Sequence, residues 1–215
     1  MQLKDLRFRD VENIIFDFGG VIIDINVQRA VNNMMALGLT GFDPKDIHPE
    51  NTGIFLELEL GTISNDDFFG AIQKYVAAGT TPPTKEQICD AWNSLISDFD
   101  ISRFELLDEL RENYKVFLLS NTNLPHREYF ISKFNREIST NRNFESYFDH
   151  AYYSDVMHLR KPDTEIYRTV VHEQGLDPKK TLFVDDNSQN LTGAKQVGLL
   201  TYHMSLGRTI FGMFK

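Results

Sequence analysis

The sequence predicts an α/β fold, a doubly wound parallel sheet with an inserted all-helical cap, and three observations support it. Short apolar runs alternate with segments of helical period in the second half of the chain. One apolar run near each end finishes on acids, at Asp17 and at Asp185-Asp186. Between the first two predicted strands, residues 25–100 carry helical patterns. We therefore expect a core formed by residues 1–24 and 101–215 and a helical cap over residues 25–100.

Composition limits the functional classes. The 215 residues carry a formal net charge of −9, which disfavours a nucleic-acid-binding scaffold. A lone Cys89 excludes an intramolecular disulfide and a cysteine-rich metal site. The first residues lack the long apolar run of a signal peptide, and no stretch has the length and hydrophobicity of a membrane span. We expect a soluble cytoplasmic protein, and the oligomeric state is left open.

The elements of the first half follow from local signals. An apolar run predicts a strand over residues 12–16, and apolar residues at helical spacing predict helices over 27–35 and 53–60. Capping boxes, in which Ser or Thr precedes an acid or amide by three residues, predict that further helices start at Ser64, Thr84 and Ser102.

The second half alternates between strands and helices. Strands are predicted over residues 114–119, 151–153, 181–184 and 199–204. Pro162 is expected as the first residue of the helix that carries Ile166 and Val170, because proline suits that position. Residues 125–150 are rich in aromatic side chains and are expected to be irregular, and packing or a self-association surface is the simplest explanation of the aromatic residues.

Four groups follow predicted strands or neighbouring loops, and together they suit phosphoryl transfer. Asp17, ionised at neutral pH, can attack phosphorus and form an aspartyl-phosphate. The Ser120 hydroxyl and the Asn121 backbone N–H can hold phosphoryl oxygens, while Lys161 adds fixed positive charge. Asp186, together with Asp17 and a backbone carbonyl, can hold Mg²⁺.

Each group also has an ordinary structural explanation. An aspartate after a strand is commonly a turn or helix-cap residue, and Asp185-Asp186 can cap the following helix. Ser120-Asn121 can be a loop, and Arg160-Lys161 a solvated pair. The six histidines show no spacing typical of a metal site, so they are interpreted as structural.

The order of these motifs resembles the four signatures of the haloacid dehalogenase-like hydrolase superfamily over nearly the whole chain. The residues are Asp17-Phe18-Gly19-Gly20-Val21, Ser120-Asn121, Lys161-Pro162 and Asp185-Asp186. More narrowly, they are similar to the branch with bacterial alpha-D-glucose-1-phosphate phosphatase and the phosphatase domain of soluble epoxide hydrolases.

The resemblance implies a Rossmann-like core and a Mg²⁺-dependent phosphatase acting on a small phosphorylated metabolite, plausibly a sugar phosphate. It assigns the nucleophile to Asp17 and the motif lysine to Lys161. It assigns the Mg²⁺ ligands to Asp17, Asp186 and the Gly19 carbonyl. Asp185 is implied to be an acid that contacts these ligands without binding the metal itself. Ser120 and Asn121 become the phosphate ligands.

Gly19 departs from the pattern of most phosphatases of this superfamily, which carry an acid two residues after the nucleophile. Glycine has no side chain to protonate the leaving oxygen, and general acid–base help contributes roughly 10²–10⁴ in rate. We infer a bias towards activated esters, such as glycosyl phosphates, whose leaving oxygen needs less protonation.

Three rival functions remain. A 2-haloacid dehalogenase also attacks with an aspartate, but it needs no metal, so the adjacent acids Asp185-Asp186 disfavour it. A phosphomutase depends on the missing acid. A non-catalytic phosphate-binding module stays open. Within the cap, Glu59 and Trp92 are candidates for substrate specificity, but packing or surface exposure is the simpler explanation for both.

Overall fold

The computed structural model describes residues 1–41, 53–138 and 142–214. Its centre is a five-stranded parallel sheet in the order β3-β2-β1-β4-β5. The strands are β1 (Asn13–Phe16), β2 (Lys115–Ser120), β3 (His150–Tyr153), β4 (Thr181–Asp185) and β5 (Leu200–His203). The predicted doubly wound α/β fold is confirmed.

Nine α-helices lie within the described residues. They are α1 (Val27–Ala36), α2 (Ile54–Glu59), α3 (Asn65–Ile72), α4 (Lys85–Asn93), α5 (Ile101–Arg111), α6 (Leu124–Glu137), α7 (Ser154–Met157), α8 (Thr164–Glu173) and α9 (Ser188–Gln196). No helix in these ranges has the length and hydrophobicity needed to cross a membrane.

Both faces of the sheet are covered, because alternate strand residues point to opposite sides. Ile14 and Phe16 of β1 pack in the cluster that contains residues of α5 and α6. Ile15 of β1 packs on the other face with residues of α8 and α9. The strands are consequently buried on both sides and read as continuous apolar runs.

Helices α1 to α4 have a hydrophobic cluster of their own, formed by buried residues between Ala30 and Trp92. The chain segments that lead into and out of this region run antiparallel. Asn26 N donates to Leu95 O at 2.7 Å, and Ser97 N donates to Asp24 O at 3.1 Å. The division of the chain at residues 25 and 100 stays a prediction.

The expectation of an irregular stretch over residues 125–150 was wrong, because helix α6 covers its first half, and the aromatic residues there contribute to the core. Phe130, Phe134, Phe144 and Tyr147 are buried and pack against one another and against Phe104 of α5. Packing therefore accounts for these four side chains.

Two predicted helix starts were wrong. The cap of α5 is Asp100, which accepts a hydrogen bond from Ser102 N, so the true capping residue lies two residues before the proposed one. Helix α8 begins after Asp163, whose side chain accepts from Glu165 N, and Pro162 precedes the helix. In both cases an aspartate outcompeted the predicted signal as the acceptor for free helical N–H groups. The capping box of Thr84 and Gln87 is present as predicted.

Candidate active site

The candidate site lies at the carboxyl edge of the sheet. Parallel pairing sets Phe16 of β1 beside Leu118 of β2 and Val184 of β4. Asp17 therefore emerges between the ends of β2 and β4, where Ser120 and Asp185 are the last strand residues. In open α/β sheets this edge is where ligands bind.

Lys161 binds two of the acids. Its Nζ lies 2.6 Å from Asp17 Oδ1 and 2.9 Å from Asp185 Oδ2, and the side chain is 1% exposed. Burial by itself would lower the pKa of Lys161, but the two carboxylates outweigh it and raise that pKa. The site thus contains a fixed positive charge next to Asp17.

Asn121 holds the lysine in place. Its Nδ2 donates to Lys161 O and its Oδ1 accepts from Lys161 N, both at 2.9 Å. The side chain therefore pairs with the backbone of a loop forty residues away, a role that the sequence analysis did not foresee. The Asn121 backbone N–H is not required for this pairing.

Asp17, Asp185 and Asp186 form a three-carboxylate cluster, with one oxygen from each lying within 4.8 Å of the others. Burial raises the pKa of Asp17 to about 7, opposed by Lys161 and reinforced by Asp185 and Asp186, so the full ionisation expected at neutral pH requires a compensating cation. Burial and Asp185 also raise the pKa of Asp186. Neighbouring carboxylates repel one another when they are ionised. A bound divalent cation compensates their negative charge, so such a cluster is suited to a metal site.

The two adjacent acids have different surroundings. Asp185 is fully buried, and both its oxygens are used by Lys161, Asn187 N and Asn190 Nδ2 at 2.7–3.1 Å. Asp186 is exposed, and its carboxylate accepts no hydrogen bond from a described side chain. This geometry favours Asp186 as a metal ligand and Asp185 as the residue that fixes Lys161 and the following turn.

The two glycines after Asp17 differ in the space around them. A Cβ at Gly20 would lie 2.2 Å from Asp186 Oδ2, and Gly20 has a φ of +73°. A Cβ at Gly19 would lie 3.4 Å from the side chain of Ile25, an ordinary contact. Glycine is thus favoured at position 20 by its positive φ and by the approach of Asp186, whereas position 19 has room for a Cβ.

These residues line a cavity of about 560 Å³ between the sheet edge and the helices that follow β1. Asp17, Gly19, Ser120, Asn121, Lys161 and Asp186 all contribute to its lining. Ser120 is 2% exposed, and its Oγ makes only a 3.4 Å contact with Asn121 O. The structure therefore brings the predicted site residues into one cavity, apart from Asp185, which lies behind its lining.

Sequence reasoning missed two histidines of this cavity, His126 and His203. His203 is the last residue of β5, and its Nε2 lies 2.9 Å from Asp186 O. A search for polar residues at every strand end would have found it. His126 follows the β2 end by six residues, in the first turn of α6, where no motif marks it.

His126 is a neutral ring that joins two regions. Burial lowers its pKa to about 3. Its Nδ1 lies 2.7 Å from Asn93 Oδ1 of α4, and the ring stacks on Trp92 at 4.7 Å. Because Asn93 Nδ2 donates to Cys89 Sγ, we assign the His126 proton to Nδ1, which leaves Nε2 as an acceptor.

A family model described as haloacid dehalogenase-like hydrolase matches residues 11–198. The chain therefore belongs to this family of hydrolases, as its motifs predicted. The narrower branch stays a prediction.

Relatives in the family extend the comparison. The chain is 34% identical to the D-ribitol-5-phosphate phosphatase of Bacteroides thetaiotaomicron, over 92% of this chain and 93% of that protein. It also resembles a crystal structure of a HAD family enzyme from the same organism in complex with magnesium and inorganic phosphate. That match has 33% identity and a TM-score of 0.85, and it covers 95% of this chain and all of the other. An L-2-haloacid dehalogenase from Xanthobacter autotrophicus, at 18% identity and a TM-score of 0.53 over 90% of this chain and 77% of its own, shares the fold.

Proposed function

We propose that this hydrolase is a Mg²⁺-dependent phosphatase that cleaves a small phosphorylated metabolite, a sugar or polyol phosphate, through an aspartyl-phosphate. The observation that carries the proposal is the buried Asp17–Lys161 pair beside Asp186 at the floor of a cavity. Support comes from the relative named for D-ribitol 5-phosphate and from the magnesium and phosphate complex of a similar structure.

The residues fit the metal. Asp17 and Asp186 offer hard oxygen ligands, and the resemblance adds the Gly19 carbonyl. When bound, Mg²⁺ would supply charge neutralisation for the phosphoryl group. Asp185 keeps the β4 end and Lys161 in place, which leaves Asp186 available to the cation.

Two displacements at phosphorus account for hydrolysis. The Asp17 carboxylate attacks phosphorus as the bond to the leaving oxygen breaks, while Lys161 and the Ser120 hydroxyl stabilise the phosphoryl oxygens. A water oxygen then attacks the aspartyl-phosphate, the bond to Asp17 breaks, and phosphate leaves with the water's proton passing to solvent. Without an acid at position 19, the departing alkoxide must take its proton from solvent.

The organic part of the substrate would lie between the sheet edge and the helical region. A cavity of about 560 Å³ accommodates a small metabolite rather than a macromolecule. The net charge of −9 likewise supports a small-molecule substrate over a nucleic acid.

The first test is hydrolysis of p-nitrophenyl phosphate and of D-ribitol 5-phosphate with Mg²⁺. We expect activity that chelator removes and that Asp17→Asn lowers by roughly 10⁴-fold or more, because a neutral amide cannot attack as a carboxylate does. Asp163→Asn, at the cap of α8 and outside the cavity lining, is the matched control. Full activity in chelator, or in Asp17→Asn, would refute the proposal.

The same samples separate the rival functions. Halide release from 2-chloropropionate without metal would favour the dehalogenase. Binding of phosphate with no turnover of either ester would favour a non-catalytic module. The acid cluster argues against the first of these, because dehalogenation requires no cation.

A further inference from the structure

The two sides of the cavity differ in chemistry. Its lining residues from the region 25–100 are mainly apolar or aromatic, and Glu59 is the one ionisable side chain among them in the described part of that region. These lining residues are Ile25, Val27, Glu59, Trp92, Leu95 and Ile96. A carboxylate in an apolar wall is costly to desolvate unless it has partners.

Arg160 is such a partner for Glu59 within the described part of the chain. Arg160 Nη2 lies 2.9 Å from Glu59 Oε2, with side-chain exposures of 14% and 19%. Burial raises the pKa of Glu59, and the positive charges of Arg160 and Lys161 oppose that rise. Glu59 Oε2 is buried, and no described residue donates a hydrogen bond of good geometry to it, so the ion pair with Arg160 leaves acceptor capacity in this cavity-lining carboxylate.

The end of α2 is fixed against the core. His158 Nδ1 lies 2.7 Å from Leu60 O, directly after Glu59. Gly61 approaches the core so closely that a Cβ there would lie 2.1 Å from Asp155 O. Glu59 is therefore held beside the loop that carries Lys161, at a position set by backbone contacts as well as by its ion pair.

The same wall carries an unused donor. Trp92 Nε1 is buried and makes no hydrogen bond to a described residue. An acceptor and a donor in one wall match hydroxyl groups, which both donate and accept, whereas an ammonium group could use only the acceptor.

We propose that Glu59 is a specificity-determining residue that accepts hydrogen bonds from hydroxyl groups of the leaving alcohol, so that the site selects polyhydroxylated phosphomonoesters. This inference rests on the proposed phosphatase function and adds the residue that binds the organic part of the substrate. Glu59 thereby recognises the alcohol, and the residues at the sheet edge handle the phosphate.

The test compares kcat/KM for D-ribitol 5-phosphate, pentyl phosphate and p-nitrophenyl phosphate. The first two differ in the hydroxyl groups of the five-carbon chain, and the third has none. Variants are Glu59→Ala, the shape-conserving Glu59→Gln, and Glu57→Gln as a control on the exposed face of the same helix. Phosphoethanolamine reports on an ammonium ligand.

We expect Glu59→Ala to lower kcat/KM for D-ribitol 5-phosphate by about 10- to 100-fold, the range of a hydrogen bond to a charged group. The loss should be mainly in KM. Glu59→Gln should fall between it and wild type, because an amide oxygen still accepts. Activity on the two esters without hydroxyls should stay within about twofold, and Glu57→Gln should match wild type throughout.

Three outcomes would overturn the inference. An equal loss on all esters would show that Glu59 acts only by holding α2, and an unchanged preference in Glu59→Ala would show no contact. A loss confined to phosphoethanolamine would make the ligand an amine. If wild-type protein hydrolyses none of these esters, the proposed function itself fails; turnover with unchanged selectivity in Glu59→Ala refutes this inference alone.

Discussion

The two sides of the cavity are built on different principles. The sheet edge presents Asp17, Lys161 and Asp186, charged groups that are fixed by strand register and by mutual hydrogen bonds. Among the residues that the structure describes, the opposite wall is apolar apart from Glu59 and rests on helices with a hydrophobic cluster of their own. Reaction chemistry needs charges fixed in place, which a buried sheet supplies, whereas recognition of the alcohol can vary with the helices that cover it.

Polar contacts between described residues connect the two sides directly. Asn93 of α4 meets His126 of α6, and Glu59 meets Arg160. Changes at the sheet edge should therefore alter turnover or metal binding on every substrate. Changes in the opposite wall should alter selectivity, and changes at the contacts should alter the stability of the junction.

After the loss of activity expected in Asp17→Asn, the next largest effect concerns Gly19. Without an acid there, kcat/KM should fall steeply as the leaving group becomes more basic, and poor leaving groups should react roughly 10²–10⁴-fold more slowly than with acid help. Gly19→Asp should flatten this dependence by supplying the missing acid, and a Cβ at position 19 makes only an ordinary contact with Ile25. Gly19→Ala is the control and should keep the steep dependence.

The measurement is a series of aryl and alkyl phosphates under single-turnover conditions. A good leaving group should also give a burst of alcohol, since water must attack the aspartyl-phosphate without a base at position 19. A flat series without a burst in wild type would mean that another residue transfers the proton.

The next effect distinguishes the adjacent acids. Asp186→Ala should weaken Mg²⁺ binding by more than roughly 10- to 100-fold, the loss typical when a residue that only hydrogen-bonds to a metal ligand is replaced. Asp185→Asn should stay within that range, because Asp185 acts through Lys161 and Asn190. Calorimetric titration with Mg²⁺ measures both, and the reverse order would exchange the two roles.

A smaller effect concerns the two glycines. Gly20→Ala should reduce Mg²⁺ affinity by about tenfold or more, because its Cβ would displace Asp186 and its φ of +73° is strained for alanine. Gly19→Ala should leave affinity within a few-fold of wild type. Equal affinities in the two variants would show that Asp186 does not need its present position.

The smallest effect tests the junction between the two sides. Burial lowers the pKa of His126 from 6.5 to about 3, so the unfolded chain binds its proton first as pH falls. The stability from this histidine is complete above its unfolded pKa and is lost as pH falls below it. Between pH 7 and pH 5 the loss amounts to about 2 kcal/mol.

Urea denaturation of metal-free protein at both pH values measures this loss. His126→Gln should show a smaller decrease than wild type, while His172→Gln, at an exposed histidine, should match wild type. The raised pKa of Asp17 changes stability with pH in the opposite direction, but it does so equally in wild type and in both variants. The comparison with wild type therefore removes the contribution of Asp17. An identical decrease in His126→Gln would refute the assignment.

The sequence predicted the sheet and the polar groups at its edge because both depend on local pattern. Buried parallel strands are continuous apolar runs in the sequence. The polar residue that ends such a run lies at the carboxyl edge of the sheet, because all parallel strands end there. Asp17, Ser120 and Asp185-Asp186 could be placed in this way before any contact was known. The family followed from the same residues, because their order along the chain is itself the signature.

The tertiary structure decided which of these groups contact one another and what lies opposite them. The pairing of Asn121 with the Lys161 backbone, of Glu59 with Arg160 and of Asn93 with His126 joins residues 33 to 101 positions apart. Such contacts depend on how loops and helix ends approach, which periodicity does not encode. The different roles of Gly19 and Gly20 likewise depend on the distance to Asp186, set by packing between β1 and β4.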